Sequence, residues 1–270
     1  MSKSSGRDTD RREFARLESI AADVAVSAAA LVRSAVGHAV DVGRKSSPSD
    51  VVTQTDLDAE ALIRCMLAER APGSGVIGEE GGATTMGAPV EWVVDPLDGT
   101  VNFTYGMPII AVSIAAAVEG RVVAGAVVDV AHDEVFRGSL GNGATFHGAA
   151  ITGSRCEALA DAIVTTGFSY AADTRRRQGV VVATLLAVVR DLRCFGSAAL
   201  QMCWVGLGRV DAYYERDTKL WDYAAASIIA IEAGALVELP CPENNGLSLA
   251  SPPALFAALR AAVDDSVGPG

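Results

Sequence analysis

The sequence predicts a layered α/β fold, and three observations support that prediction. Apolar strands and amphipathic helices alternate along most of the chain, which is the pattern of sheets covered by helices. Half of the 270 residues are hydrophobic and a fifth are charged, so the chain can bury a large core. No internal repeat, low-complexity run or proline-rich linker separates its halves, and we therefore expect residues 1–270 to form one compact domain.

The chain begins with a polar stretch followed by two predicted helices. Residues 1–9 are polar and predict a flexible tail. Apolar residues then recur at helical spacing over about 10–36. After a loop, Thr55 or Asp56 is the predicted N-cap of a second helix that ends near residue 69.

The middle of the chain is predicted to form strands. Residues Glu119 and Gly120 separate two apolar runs, which is typical of a β-hairpin. The expected strands are 75–78, 91–94, 111–118, 121–129 and 133–137, with a tight loop or a short strand at 141–148.

The second half returns to alternating strands and helices, which extends the layered pattern to the end of the chain. The expected elements are a strand at 162–166, a helix at 174–190, a short strand, a helix at 197–206, a strand at 210–215, a helix at 222–234, and a final strand and helix within 235–264.

The most informative segment is WVVDPLDGTVNF, residues 92–103. Its apolar run predicts the end of a buried strand, and Pro96 and Gly99 predict that the chain leaves the sheet there. Asp95 and Asp98 would then lie at the carboxyl end of a strand, where layered α/β folds bind ligands. Clustered carboxylates suit Mg²⁺, although Asp-Pro and Asp-Gly are also typical of an ordinary acidic turn.

Further acids lie where a strand ends or a helix begins, namely Asp56, Glu79, Glu80 and Asp222. Any one of them by itself is typical of a solvated surface. Together they can supply the bridging carboxylates that two Mg²⁺ ions about 4 Å apart require. Thr100 offers a hydroxyl that can orient a water molecule with help from a nearby acid.

The composition argues against two classes of partner. A net charge of −11 opposes sequence-independent binding of nucleic acid, but bound cations can still attract a phosphorylated substrate. The longest apolar run, at about 109–118, is too short to span a bilayer, so we expect no membrane partner.

The cysteines and the N-terminus indicate where the protein works. The five cysteines are scattered without a CxxC pair, which favours free thiols in a reducing compartment. The N-terminal residues lack the apolar core of a signal peptide. We therefore expect a cytoplasmic protein.

Several segments, in order, resemble the inositol monophosphatase family of Mg²⁺-dependent, lithium-sensitive phosphatases. DPLDGTVNF and WDYAAASIIAIEAG resemble the two family signatures, DP(I/L)DGTxNF and WDxAAxxxIxxEAG. The segments KSSPSDVVTQTDLDAE, IGEEGG, GSAAL and GRVDAYYE also have family counterparts, so the resemblance covers about 45–234.

This resemblance implies an alternating αβαβα sandwich, as in inositol monophosphatase and fructose-1,6-bisphosphatase. It implies hydrolysis of inositol 1-phosphate to myo-inositol and phosphate by a metal-activated water, with two or three Mg²⁺ per site. It also implies a homodimer and a small phosphorylated polyol or sugar as substrate. Relatives of the same fold act on fructose 1,6-bisphosphate, histidinol phosphate or adenosine bisphosphate, and a regulatory, partner-binding role is a further alternative.

The resemblance also implies a role for each matching residue. The catalytic set would be Thr100, Asp56 and Glu79, with Thr100 hydrogen-bonded to Asp56. The metal ligands would be Glu79, Asp95, the Leu97 carbonyl, Asp98 and Asp222, with Asp95 bridging two ions. The substrate would meet Asp98, Gly99, Thr100, the backbone around Ala198, Glu215 and Asp222.

A few positions depart from the family pattern or lie near its edge. Lys219 stands where animal members carry a histidine, so the resemblance does not specify the leaving-group pocket. Gln201 replaces an acid of many bacterial members on a helix that helps the family dimer pack. Lys45 is either a residue that approaches the metals or a solvated loop lysine.

Overall fold

The computed structural model describes residues 2–38, 41–44 and 51–265, in which helices and two main sheets alternate in five layers. The predicted αβαβα sandwich is therefore confirmed. Its helical layers, in order, are α1 (Ser2–Ser34) with α2 (Gln54–Arg70), then α5 (Ala198–Leu207) with α6 (Leu220–Glu232), then α4 (Ala172–Leu185) with α7 (Pro253–Asp265).

The large sheet lies between the first and second helical layers. Its strands are β3 (Gly75–Gly78), β4 (Gly82–Thr84), β5 (Val90–Asp98), β6 (Ala111–Val118), β7 (Arg121–Asp129), β8 (Glu134–Ser139), β9 (Gly143–Phe146) and β10 (Ala149–Ala150). Their order across the sheet is β10-β9-β8-β7-β6-β5-β3-β4, and β3 is parallel to β5. A separate ladder pairs β1 (Asp41–Arg44) with β2 (Val51–Thr53).

The small sheet lies between the second and third helical layers. Its strands are β11 (Ile163–Thr166), β12 (Asp191–Cys194), β13 (Ala212–Arg216), β14 (Leu236–Glu238) and β15 (Leu247–Ser251). Their order is β12-β11-β13-β15-β14, with β11 parallel to both of its neighbours.

Alternation along the strands explains why each sheet is covered on both faces. In β5, Trp92 and Val94 pack with α1 and α2, whereas Val93 packs with α5 and α6. In β13, Tyr213 joins the middle core and Tyr214 the outer core beside α4 and α7. Successive strand residues point to opposite faces, so an apolar run can fill two cores at once.

Most predicted elements are confirmed, and the hairpin strands β6 and β7 have the predicted bounds. Helix α1 begins at Ser2, so residues 2–9 of the predicted polar tail are helical. The N-cap of α2 is Thr53 rather than Thr55 or Asp56, because the Asp56 side chain bonds back to the Thr53 N–H.

The ends of several elements also differ from the sequence prediction. Helix α4 ends at Leu185, five residues before the predicted end at 190, and β4 was not predicted. The expected final strand is a pair of strands, β14 and β15. The loop that contains Lys45 lies outside the described residues.

The largest correction concerns Pro96, which does not end its strand. Strand β5 continues to Asp98, and its pairing with β6 shifts between Asp95 and Asp98. Proline lacks an N–H, so it is tolerated where a bulge interrupts the ladder. The bulge accommodates Pro96 between the two aspartates.

No helix among the described residues has both the length and the apolar character that crossing a bilayer requires.

Candidate active site

Three acids come together where β3 and β5 end. Asp95 and Asp98 are 2% and 9% exposed, so both carboxyl groups are buried. Glu79 directly follows β3, the parallel neighbour of β5, and its N–H donates to the Val94 carbonyl at 3.2 Å. The Glu79 side chain also hydrogen-bonds Asp95. The parallel pairing therefore places acids from two segments side by side.

Asp222, near the start of α6, adds a fourth carboxyl group to this acidic cluster of Glu79, Asp95, Asp98 and Asp222. Its Oδ2 accepts the Lys219 N–H at 2.6 Å, which fixes the side chain at the helix end. Burial together with the charges of Glu79, Asp98 and Asp222 raises the pKa of Asp95 well above its usual range. Burial raises the pKa of Asp222 to about 8, although the hydrogen bond from the Lys219 N–H and the Lys219 charge oppose the rise.

Asp98 is held by the first turn of α5. Its Oδ2 accepts hydrogen bonds from the Ser197 hydroxyl and from the Ala199 N–H at 2.9 Å, and the Ala198 N–H also contributes. Burial raises the pKa of Asp98 to about 6, although these donors oppose the rise. The start of α5 thus fixes the Asp98 carboxylate through three donors.

Thr100 and Asp56 form the second part of the site. The Thr100 hydroxyl lies 3.0 Å from Asp56 Oδ1 and 3.1 Å from the Leu97 carbonyl oxygen. The other Asp56 oxygen accepts the Thr53 N–H at 2.9 Å and the Thr53 hydroxyl. Asp56 is 1% exposed, so one buried carboxylate both caps α2 and orients Thr100.

Gly99 makes the close turn between β5 and α3 (Thr100–Thr104). Its φ of +93° lies in the left-handed region, and a Cβ there would stand 2.9 Å from the Ile109 carbonyl oxygen. Asn102 Nδ2 donates to the carbonyls of Ile109 and Phe195 at 2.8 and 2.7 Å. These contacts hold the segment before α5 against the Gly99 turn.

Glu215 extends from β13 of the small sheet toward the acidic cluster. The Tyr213 hydroxyl donates to Glu215 Oε2 at 3.1 Å, and a side chain at Gly167 would collide with the carboxylate. Loss of solvent contact and the charges of Asp222 and Asp98 raise the pKa of Glu215 to about 8. The two sheets thus contribute acids to one region.

The donor chemistry of the cluster fits a hard cation. Its carboxylate oxygens, with the Leu97 carbonyl beside them, are the ligands that Mg²⁺ prefers. Burial and, to a lesser degree, mutual repulsion raise the pKa values of Asp95 and Asp222, and a bound cation would stabilise the charged carboxylates. Within the described residues, however, no three His, Cys, Asp or Glu side chains form a preassembled metal cage. The cluster therefore fits a cation in its charge and in its type of donor atom.

Three contributors to this site were missed as functional residues by sequence reasoning: Ser197, Asn102 and Tyr213. Ser197 was identified only as a helix start, and Asn102 only as part of a motif. Tyr213 was named only within the segment GRVDAYYE, although its spacing of two from Glu215 places both on one face of the strand.

The structure defines a layered α/β protein with clustered carboxylates at its strand ends, and comparison with known proteins identifies its family. The model of the inositol monophosphatase family matches residues 14–265. The chain therefore belongs to the inositol monophosphatase family, a family of phosphatases that generally depend on metal ions.

Relatives and solved structures agree with this assignment. Inositol-1-monophosphatase SuhB of Mycobacterium tuberculosis is 44% identical over 258 residues, which is 88% of each chain. Nus factor SuhB of Pasteurella multocida is 39% identical over 75% of each chain. The structure of a Thermotoga maritima IMPase has a TM-score of 0.84 at 28% identity, covering 96% of this chain and 98% of that one.

Proposed function

We propose that this protein is a Mg²⁺-dependent phosphomonoesterase that hydrolyses inositol 1-phosphate to myo-inositol and phosphate. The observation that carries the proposal is the juxtaposition of the acidic cluster with the Thr100–Asp56 pair at the end of β5. Its similarity to a named inositol-1-monophosphatase supports the choice of substrate.

The cluster would hold two or three Mg²⁺ ions. Glu79, Asp95 and the Leu97 carbonyl would bind one ion, and Asp95, Asp98 and Asp222 would bind another. When bound, the ions supply positive charge to the phosphoryl group and lower the pKa of water. The Ser197 hydroxyl and the Ala199 N–H hold Asp98 Oδ2, which would orient the carboxylate for a cation.

Thr100 would orient the attacking water. Its hydroxyl proton points to Asp56 or to the Leu97 carbonyl, so its oxygen remains an acceptor for a proton of that water. Asp56 would then stabilise the polarised hydroxyl. The N–H groups of Gly99 and Thr100 would contact the phosphate, because the turn at Gly99 brings its backbone to the end of β5.

The leaving group would bind on the side of the small sheet. Glu215 and Asp222 would accept hydrogen bonds from polyol hydroxyls, and the backbone near Ala198 would border the same space. This arrangement supports our proposal that residues 1–270 act as one catalytic domain, since neither sheet alone holds both sets of residues.

A substrate panel tests the proposal directly. Phosphate release should be measured with inositol 1-phosphate, fructose 1,6-bisphosphate, histidinol phosphate and adenosine bisphosphate, each with and without Mg²⁺. We expect the highest kcat/KM for inositol 1-phosphate and no turnover with a chelator. A higher kcat/KM for another substrate would reassign the enzyme within the family, and no Mg²⁺-dependent release from any would refute a phosphatase.

A second candidate is a regulatory role through a macromolecular partner, which the name Nus factor of one relative favours. The variant Asp95→Asn separates the two, because it should abolish hydrolysis and leave the folded surface unchanged. If the variant restores every phenotype of a deletion strain, the regulatory role is the physiological one. If it restores none, hydrolysis is required.

We also propose a cytoplasmic homodimer that Li⁺ inhibits, as the family resemblance implies. Analytical ultracentrifugation should give a dimer mass, and a monomer at micromolar concentration would contradict it. Fractionation should place the protein in the cytoplasm, and titration with LiCl at fixed Mg²⁺ should reduce the rate.

A further inference from the structure

Helix α2 carries two buried carboxylates one turn apart. Asp56 and Glu60 are 1% and 3% exposed, and their spacing of four places both on one face of the helix. Asp56 orients Thr100, as described above. Glu60 has no part in the proposed chemistry, yet an acid this buried requires compensating partners.

The partners of Glu60 are the turn that follows Glu79. Glu60 Oε2 accepts the Glu80 N–H at 2.8 Å, and Oε1 accepts the Gly81 N–H at 2.8 Å. Arg64 Nε donates to Oε1 at 2.7 Å, and Arg64 Nη2 donates to the Gly82 carbonyl at 2.6 Å. One carboxylate and its arginine therefore bind three successive residues of the turn.

The turn also packs directly on this carboxylate. A Cβ at Gly78 would stand 2.5 Å from Glu60 Oε1, and a Cβ at Gly81 would stand 2.6 Å from it. Neither glycine can be replaced without displacing Glu60. The residues on each side of the Glu79–Glu80 pair are thus fixed against α2 by close contact as well as by hydrogen bonds.

We infer that Glu60 is a positioning residue that orients Glu79 toward Asp95, just as Asp56 orients Thr100. The inference rests on the proposed function, because it takes Glu79 as a metal ligand. Helix α2 then sets the distance between the metal side of the site and the water-orienting hydroxyl. Residues that hold metal ligands in place typically change metal affinity about 10- to 100-fold when mutated.

The chain offers a matched control in Glu232, at the end of α6. Its Oε1 and Oε2 accept the Gly141 and Gly143 N–H groups at 2.9 Å each, so it binds a turn as Glu60 does. That turn joins β8 to β9, three strands from β5. The turn also lies toward the opposite end of the strands from the acidic cluster. Asp98 and Asp129 pair with Ala111 at the end of the sheet near the cluster, whereas Ser139 pairs with Ala124 near the other end.

The experiment compares Glu60→Gln with Glu232→Gln in the full chain. An amide keeps the shape of the side chain but replaces one acceptor with a donor that faces an N–H group. Calorimetry without substrate measures Mg²⁺ binding. Hydrogen–deuterium exchange measures the protection of the Glu80 and Gly81 amides. Phosphate release gives kcat and the half-saturating Mg²⁺ concentration.

We expect Glu60→Gln to weaken Mg²⁺ binding about 10- to 100-fold, to deprotect the Glu80 and Gly81 amides, and to recover most of its kcat at high Mg²⁺. Glu232→Gln changes a less buried carboxylate and should lose some thermal stability with unchanged Mg²⁺ affinity. Equal Mg²⁺ affinity in the two variants overturns the inference, because Glu60 would then be structural only.

Two further variants keep the test decisive. If Glu60→Gln does not fold, Arg64→Gln removes the Gly82 contact and the ion pair with Glu60 but keeps the two backbone N–H bonds to the carboxylate. We expect a smaller loss of Mg²⁺ affinity from this variant. Glu79→Gln should lose kcat at every Mg²⁺ concentration. A wild-type protein that neither binds Mg²⁺ nor releases phosphate refutes the proposed function, whereas a normal wild type with a normal Glu60→Gln refutes the positioning role alone.

Discussion

The two sheets contribute to the site in different ways. At the large sheet, Glu79 lies beside Asp95 because β3 and β5 are parallel neighbours in which Gly78 pairs with Val94. Strand β5 then continues to Asp98. On the other side, Glu215 lies on the small sheet, while Asp222 and Ser197 lie on helices between the sheets. The strand pair therefore arranges the acids of the large sheet, whereas the positions of Asp222 and Glu215 depend on how the two sheets and the helices between them pack.

The largest expected effect comes from removing the central acid of the large sheet. Asp95→Asn should lower kcat by on the order of 10³-fold, because the site loses the carboxylate that, in the proposed function, would bind both cations. At high pH, metal-free Asp95→Asn should be no less stable than wild type, because burial and the neighbouring acids disfavour an ionised carboxylate at this position. Phosphate release and thermal unfolding measure the two effects.

Asp129→Asn is the matched control for Asp95→Asn. Asp129 is fully buried in the same sheet, but its carboxylate accepts the N–H groups of Ala131 and His132 at 3.0 Å. The variant should lose about 1.5–3 kcal/mol of stability and keep its activity. The same pattern in both variants would show that burial, rather than metal binding, explains Asp95.

The next-largest effect concerns the Thr100 hydroxyl. Thr100→Ala should lower kcat about 10²-fold or more with little change in Mg²⁺ affinity, because the water loses its orienting group. Thr104→Ala, in the same short helix, removes a hydroxyl that donates only to the Val101 carbonyl and should be silent. Comparable losses of kcat in the two would remove Thr100 from the chemistry.

A smaller effect is expected on the side of the small sheet. Tyr213→Phe should raise KM roughly 2- to 10-fold at nearly constant kcat, because Glu215 loses the hydroxyl that holds it. Tyr214→Phe alters the next residue, whose ring points into the outer core, and should leave KM unchanged. If KM moves equally in both, general packing of β13 accounts for it.

The smallest effect is a pH dependence of stability that involves both sheets. In the metal-free protein the pKa is about 6 for Asp98 and about 8 for Asp222 and Glu215, each above its ordinary value. The folded state therefore binds more protons than the unfolded state between about pH 4 and pH 8, so stability falls as pH rises through that window.

Calorimetric unfolding across this pH range tests the expectation. The midpoint should fall steadily toward pH 8 without Mg²⁺, and saturating Mg²⁺ should flatten the curve because the cation takes the place of the protons. A metal-free midpoint that rises with pH would contradict the burial of these acids.

Much of the fold could be predicted from the sequence because its signals are local. The hairpin of β6 and β7 follows from two apolar runs around Glu119-Gly120, and the helices follow from their apolar spacing. Pro96 misled the prediction of β5, since a proline signals a break unless a bulge removes the need for its N–H. Bulges depend on the partner strand, which local sequence does not specify.

By itself, the sequence determined the layered fold, the family resemblance and the acids at the ends of β3 and β5, since each depends on residues close together in the chain. The tertiary structure alone decided which side chains hold those acids. Ser197 contacts Asp98 across 99 positions, and Glu60 binds the turn after Glu79 across 20 and 21. Such contacts exist only after the layers pack, because packing brings distant donors within hydrogen-bonding distance of a buried carboxylate.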